Sequence, residues 1–266
     1  MLVKNGVILD VKFPLNIGQK YYPIHFAYVL NIFKYLKWNI SFKDYSDRGN
    51  AFIIEINGKE FLMDFGDSST TIAETTLSIF KFHSLQKDLN RVIPFAPVSF
   101  YDWARYYELE KQIEYNASGF ISNRQRPYAG ALQRRTAIQG LLYNKFKHEV
   151  AFDLRGQEDY WKEINNVKVA VFVPGQNNNI YDRGHIQYMA FGCATISPNL
   201  PEVLPFNNTI IPDIHYIRCN DDYSDLIEII ENLDIEKLKF IGNNAKQLFK
   251  QSCTPEVLGK WITNYV

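Results

Sequence analysis

The run VKVAVFV (167–173) is apolar at every position except Lys168. A run so short and so continuous fits a strand buried on both faces. Its sequel narrows the choice further: Pro174-Gly175, three asparagines, then Asp182-Arg183-Gly184 opening a helical segment to Phe191. Gly192-Cys193 leads into CATISP (193–198), a second apolar strand. Strand, helix and strand in this order make a βαβ unit of a mainly parallel sheet.

The alternation extends both ways. ASGFISN (117–123) and HEVAFDL (148–154) read as strands, separated by a helix over 130–145 with Leu132, Ile138, Leu141 and Leu142 inward. QEDYWKEI (157–164) reads as a short helix and HYIRC (215–219) as a strand. DLIEIIENL (225–233) and EKLKFIGNNAKQLFKQ (236–251) are amphipathic helices. The first half is less regular. Phe26, Val29, Leu30, Phe33 and Leu36 recur at helical spacing. AFIIEING (51–58) and KEFLMDFGD (59–67) meet at Asn57-Gly58, a strong hairpin signal. RVIPFAPVSF (91–100) carries two prolines and reads as an edge strand or a passage between domains, and short helices are expected around 71–79 and 101–113. The fold class expected is α/β with two Rossmann-like lobes, the amino-terminal one small and reduced. The boundaries are 1–114 for the first lobe and 115–266 for the second.

The chain of 266 residues has equal counts of basic and acidic side chains and a pI near 7.0. Nucleic-acid binding by phosphate contact needs a basic excess that is missing here, so no nucleic-acid partner is expected. The three cysteines, Cys193, Cys219 and Cys253, are far apart and lack metal-ligand spacing. They fit buried thiols in a reducing compartment. No apolar run reaches membrane-spanning length, and the charged start MLVKNGVILDVKFPL is unlike a signal peptide. A cytoplasmic location is expected.

Ligands of open parallel sheets bind outside the carboxyl ends of the strands. The loop after VKVAVFV therefore carries the first candidates. Gly175 lets backbone approach a ligand, Asn177 offers polar donors, and Asp182 caps the helix. Arg183 presents a planar charged fork at a helix start, where free amides already favour an anion, and Gln187 follows one turn on. The same residues also make an ordinary turn with a surface ion pair. A second concentration, FISNRQRPYAGALQRR, sets Arg124 and Arg126 just after a strand and Arg134 and Arg135 early in the next helix. Arg124 and Arg126 are the ligand candidates; Arg134 and Arg135 are expected at the surface.

DRGHIQYMAFGCATISP, followed by NDDYSDL, NNAKQLF and a closing helix ending KWITNYV, resembles the carboxy-terminal, nucleotide-sugar-binding half of GT-B-type glycosyltransferases. The resemblance covers roughly 115–266. It lacks the pair of glutamates spaced eight apart in retaining members, whose places hold Asn179 and Gln187. The nearer likeness is to short bacterial and viral members with an Asp-Arg form of the helix.

The resemblance implies a nucleotide-sugar donor between the lobes and transfer to a glycan or other hydroxyl acceptor. The diphosphate would lie near Gly175, Asn177 and Arg183, with Arg124 and Arg126. Leaving-group charge would then grow against fixed donors, without a metal and with no other cofactor. Asp221-Asp222 and the pair Asp64, Asp67 lack a third ligand at metal-binding spacing. An inverting transfer needs a base, for which Asp64 and Asp67 are the candidates, with His25 and His83 beside them. A non-catalytic nucleotide- or glycan-binding module is the alternative. A kinase is disfavoured, since no Gly-x-x-x-x-Gly-Lys-(Ser/Thr) loop occurs.

Overall fold

The computed structural model describes residues 7–15, 22–45, 51–66, 75–85, 91–96, 100–113, 118–128, 130–175 and 183–266. Two compact units result. The first comprises Met1–Ala104, Glu202–Thr209 and Lys250–Val266, the second Arg105–Pro201 and Ile210–Phe249. The division differs from 1–114 and 115–266 because the later chain twice supplies segments to the first unit. One is the two-stranded pairing of residues 203–204 with 208–209, the other the end of the chain.

The first unit is built around a six-stranded sheet. Its strands and helix are β1 (Asp10–Pro14), α1 (Tyr22–Tyr35), β2 (Asn39–Lys43), β3 (Ala51–Ile56), β4 (Lys59–Asp64), β5 (Ser78–Lys81) and β6 (Val92–Pro94). The order is β2-β1-β3-β4-β5-β6, with β3 antiparallel to both neighbours and the other pairings parallel. Asn57 and Gly58 both take positive φ, 50° and 82°, as the tight turn between β3 and β4 requires. β6 lies at the sheet edge, where its Pro94 needs no ladder hydrogen bond. The helix expected around 71–79 is corrected in its described part. Ser78–Lys81 is a strand, and Ile79 and Phe80 are buried between β4 and β6. Residues 71–74 lie outside the described residues.

Aromatic side chains make much of this core. Phe13, Phe26, Phe33, Phe52, Phe65 and Phe82 pass contacts from ring to ring at centroid distances of 4.1–6.3 Å. Aromatic residues make up 15% of the chain, and in this unit they serve packing. The chain end is fastened here too, since Trp261 Nε1 donates to Pro94 O at 2.8 Å.

The second unit follows the βαβ expectation. After α2 (Trp103–Glu110), which begins in the first unit, come β7 (Phe120–Ser122), α3 (Leu132–Phe146), β8 (Val150–Ala151) and α4 (Gln157–Glu163). Then follow β9 (Val167–Val171), α5 (Arg183–Phe191) and β10 (Thr195–Ser197). β11 (Val203–Leu204) and β12 (Asn208–Thr209) belong to the first unit, and β13 (Ile217–Arg218), α6 (Leu226–Glu231) and α7 (Ile235–Ser252) follow. α8 (Pro255–Thr263) ends the chain in the first unit. The five-stranded sheet is wholly parallel, in the order β13-β10-β9-β7-β8. Val169, Val171, Ala194, Ile196 and Ile217 fill its core with Leu142, Leu226 and Ile241.

Two local devices shape this unit. α5 ends at Gly192 with φ 78°: Gly192 N donates to Met189 O and Cys193 N to Tyr188 O, both at 3.0 Å, the Schellman pattern. Ala190-Phe191-Gly192 is thus a helix stop. α3 buries Ile138 and Leu142 of the four residues expected inward, and Arg135 with them, whereas Leu132 and Leu141 are exposed. Among the described residues no helix is long and apolar enough to cross a membrane.

Candidate functional site

Counted along the chain, the parallel strands lie second, first, third, fourth, fifth: β8, β7, β9, β10, β13. The order reverses between β7 and β9. From β7 the chain leaves one way through α3, and it returns on the other side through α4. In a doubly wound sheet the crevice at such a reversal, at the carboxyl ends of the two strands, is where ligands bind. The residues there are those following Ser122 and Val171. They include Arg124, Arg126 and Gly175, while α3 brings Arg134 and Arg135.

The structure divides these arginines sharply. Arg124 is bound by acids: its Nη1 lies 2.7 Å from Asp153 Oδ1 and its Nη2 2.7 Å from Glu163 Oε2. Arg155 closes the network by pairing with the same two carboxylates, and the side chain of Arg124 is 6% exposed. Desolvation pushes the Asp153 carboxyl upward, but hydrogen bonds from Arg155 and Arg124 hold it below the ordinary carboxylate value. Arg124 therefore ties strand β7 to the β8–α4 region. Its charge is already neutralised.

Arg126 is exposed and makes no ion pair with any described residue. Arg183, at the first position of α5, is half-buried and likewise has no ion pair among the described residues. Arg134 and Arg135, expected at the surface, are turned inward instead. Arg135 is 4% exposed and donates from Nε to Val173 O and from Nη1 to Arg126 O, each at 2.9 Å. Arg134 Nη2 donates to Pro174 O at 2.8 Å and to Gly175 O at 2.5 Å. The physical reason is local: five carbonyls leaving β9 have no strand partner beyond Val171, and side chains satisfy them. Asn123 Nδ2 donates to Val171 O at 2.8 Å and Tyr223 Oη to Phe172 O at 3.1 Å; the two arginines take the next three carbonyls. Gln125 Oε1 accepts from Val173 N at 2.6 Å. Burial pushes the Tyr223 phenol well above its ordinary value, so it stays a donor.

Three buried polar atoms at this reversal have no partner among the described residues: Asn123 Oδ1, Gln125 Nε2 and Arg134 Nε. Gly175 is buried at the end of the braced segment. Asn177 and Asp182 lie outside the described residues. Gln187 accepts from Trp161 Nε1 at 2.8 Å, which gives it a packing task between α5 and α4. Sequence reading missed His185. It is 1% exposed, stacked on Phe172 at 4.8 Å and hydrogen-bonded to Thr195 Oγ1 at 2.5 Å, fixing the start of α5 to the residue after β9 and the first residue of β10.

The candidate bases belong to the first unit. Asp64 ends β4 and is 2% exposed; its Oδ2 lies 3.1 Å from Lys81 Nζ and its Oδ1 accepts from Gly66 N at 2.8 Å. Both of its oxygens are engaged by protein, one by Lys81 and one by Gly66 N. Asp67 lies outside the described residues. His83 Nδ1 is 2.7 Å from Glu202 Oε1 in a buried pair, and His25 stacks on Phe65 at 4.7 Å. Among the described residues no group of three His, Cys, Asp or Glu is placed to hold a metal ion.

No protein-family model matches this chain, and a search of curated proteins finds no match. Among solved structures, the chain is similar to a glycosyltransferase from Rickettsia africae ESF-5. The TM-score is 0.50 and the identity 10%, over 94% of this chain and 82% of that one. A sucrose-phosphate synthase from Thermosynechococcus elongatus matches with a TM-score of 0.43 and 14% identity, over 65% of this chain. The chain spans about half of that protein's length, 51%. The likeness to the Rickettsia structure is one of fold, a mixed α/β architecture with a parallel sheet, in agreement with the GT-B-type resemblance.

Proposed function

We propose that this chain is a glycosyltransferase that moves a sugar from a nucleotide-sugar donor to a hydroxyl acceptor, without a metal and with inversion. One observation carries the reading. At the strand-order reversal of the parallel sheet, two arginines stand without ion pairs among the described residues, beside backbone that is already braced. Arg126 follows β7, and Arg183 opens α5, whose helix start favours negative charge. Guanidinium groups suit phosphate oxygens because their planar donors can bond in pairs. A diphosphate held there gains negative charge as the glycosidic bond breaks, and fixed cations stabilise that charge. The fold shared with a glycosyltransferase from Rickettsia africae supports the same reading. With Asp64 engaged by Lys81, the base role in this proposal falls to Asp67.

Thermal denaturation with UDP, GDP, CMP and their sugar conjugates is the first test, because a ligand that binds the folded state raises its apparent stability. At least one nucleotide should raise the midpoint, and Arg183→Ala should remove most of the rise. A rise without turnover of any sugar nucleotide would favour the binding-module alternative. A panel without any rise would contradict the proposal.

A further inference from the structure

We infer that Arg135 is a positioning residue that sets Arg126 against the exit of β9, and that Arg126, not Arg135, meets the anionic ligand. The inference rests on the anion-site reading of the strand-order reversal and deepens it. One guanidinium makes two bonds to different loops: to Val173 O after β9 and to Arg126 O after β7, both at 2.9 Å. A planar group with fixed donor directions imposes a defined spacing between the two carbonyls it joins. Gln125 adds a third tie between the same loops, its Oε1 accepting from Val173 N while its own carbonyl accepts from Gln139 Nε2 at 3.0 Å. Tyr128 covers the Arg135 guanidinium, its ring centroid 5.0 Å away. Arg135 is thus enclosed by protein, and Arg126, whose backbone it grips, extends into solvent.

A direct ligand contact and an indirect one differ in how substitutions combine. Residues that act through each other are non-additive, whereas independent contacts add. The experiment is a double-mutant cycle of Arg126→Ala and Arg135→Lys, with inorganic pyrophosphate as the probe and affinity measured by titration calorimetry. Amide hydrogen exchange of the peptide spanning 170–175 is measured in parallel. Lysine keeps the charge but cannot bridge two carbonyls with the same geometry. Arg135→Lys alone should weaken pyrophosphate roughly tenfold, the scale of one well-placed charged hydrogen bond. In the Arg126→Ala background it should cost less than about twofold, within the usual error of additivity. Exchange at 170–175 should accelerate in both backgrounds.

Full additivity with wild-type binding intact would overturn the positioning role and leave the anion site standing. Unchanged exchange in Arg135→Lys would overturn it independently of any ligand. Absence of pyrophosphate binding in the wild type would overturn the ligand half together with the anion-site reading, even if exchange showed the brace to be real.

Discussion

Lys81→Met is expected to destabilise the first unit by about 3–5 kcal/mol, the usual cost of removing one partner of a buried ion pair. Lys81 is fully buried, and among the described residues its ammonium has two oxygen partners: Asp64 Oδ2 at 3.1 Å and Gly66 O at 3.0 Å. The strands hold the pair in register, since Asp64 of β4 stands directly beside Lys81 of β5. Methionine fills much of the lysine's volume, so the loss comes mainly from a carboxylate left in apolar surroundings. Denaturant unfolding followed by tryptophan fluorescence measures the effect, because Trp38, Trp103 and Trp261 all belong to the first unit. The double variant Asp64→Leu with Lys81→Met should recover most of the loss, since an apolar replacement of both partners removes the unpaired charge. A single variant within about 0.5 kcal/mol of wild type, the range of an ordinary surface change, would show that the pair is not buried as described.

The second large effect is expected at Gly242, within α7. A Cβ there would lie 2.0 Å from Gly192 O and 2.9 Å from Gly192 C. Both obstructing atoms are backbone, and Gly192 is itself locked at φ 78° as the stop of α5. Alanine favours a helix interior over glycine by about 1 kcal/mol, so an unobstructed helix would gain. Here the gain is outweighed, because α7 must move away from the turn that feeds β10. Gly242→Ala should cost a net ~1–3 kcal/mol, the range of overpacked cores, and Gly242→Val more. Gly140, whose added Cβ meets nothing within 4 Å, is the control: Gly140→Ala should stabilise. A stabilised Gly242→Ala would contradict the close approach of helix and turn.

Parts of this architecture were legible in the sequence for physical reasons. Continuous apolar runs such as VKVAVFV mark strands buried on both faces, and β9, α5 and β10 fall where they were expected. The hairpin at Asn57-Gly58 was legible because the turn demands residues that tolerate positive φ. β2 gave little signal: it is a five-residue edge strand of the described sheet, mostly exposed, with only Ile40 and Phe42 on its apolar face. The return of residues 202–209 and 250–266 to the first unit is a long-range event that no local pattern announces.

The arginines show the same boundary between local and distant causes. Arg124 and Arg126 both follow β7, but only Arg124 meets Asp153 and Glu163, 29 and 39 residues further along. Nothing near Arg124 in sequence foretells that. The burial of Arg135 did leave a trace: Arg135, Ile138 and Leu142 share one helical face at spacings of three and four. Reading the face by periodicity, without assuming that arginine stays outside, would have placed Arg135 beside Ile138 and Leu142.

The central claim is that an anion is held where strand order reverses in the parallel sheet. Its most direct measurement is a crystal structure grown with a nucleoside diphosphate selected by thermal shift. The account predicts phosphate oxygens within hydrogen-bond distance of the Arg126 and Arg183 guanidinium groups, with Arg135 still bonded to Val173 O and Arg126 O. Phosphates found at another edge of the molecule, with Arg126 and Arg183 untouched, would contradict it.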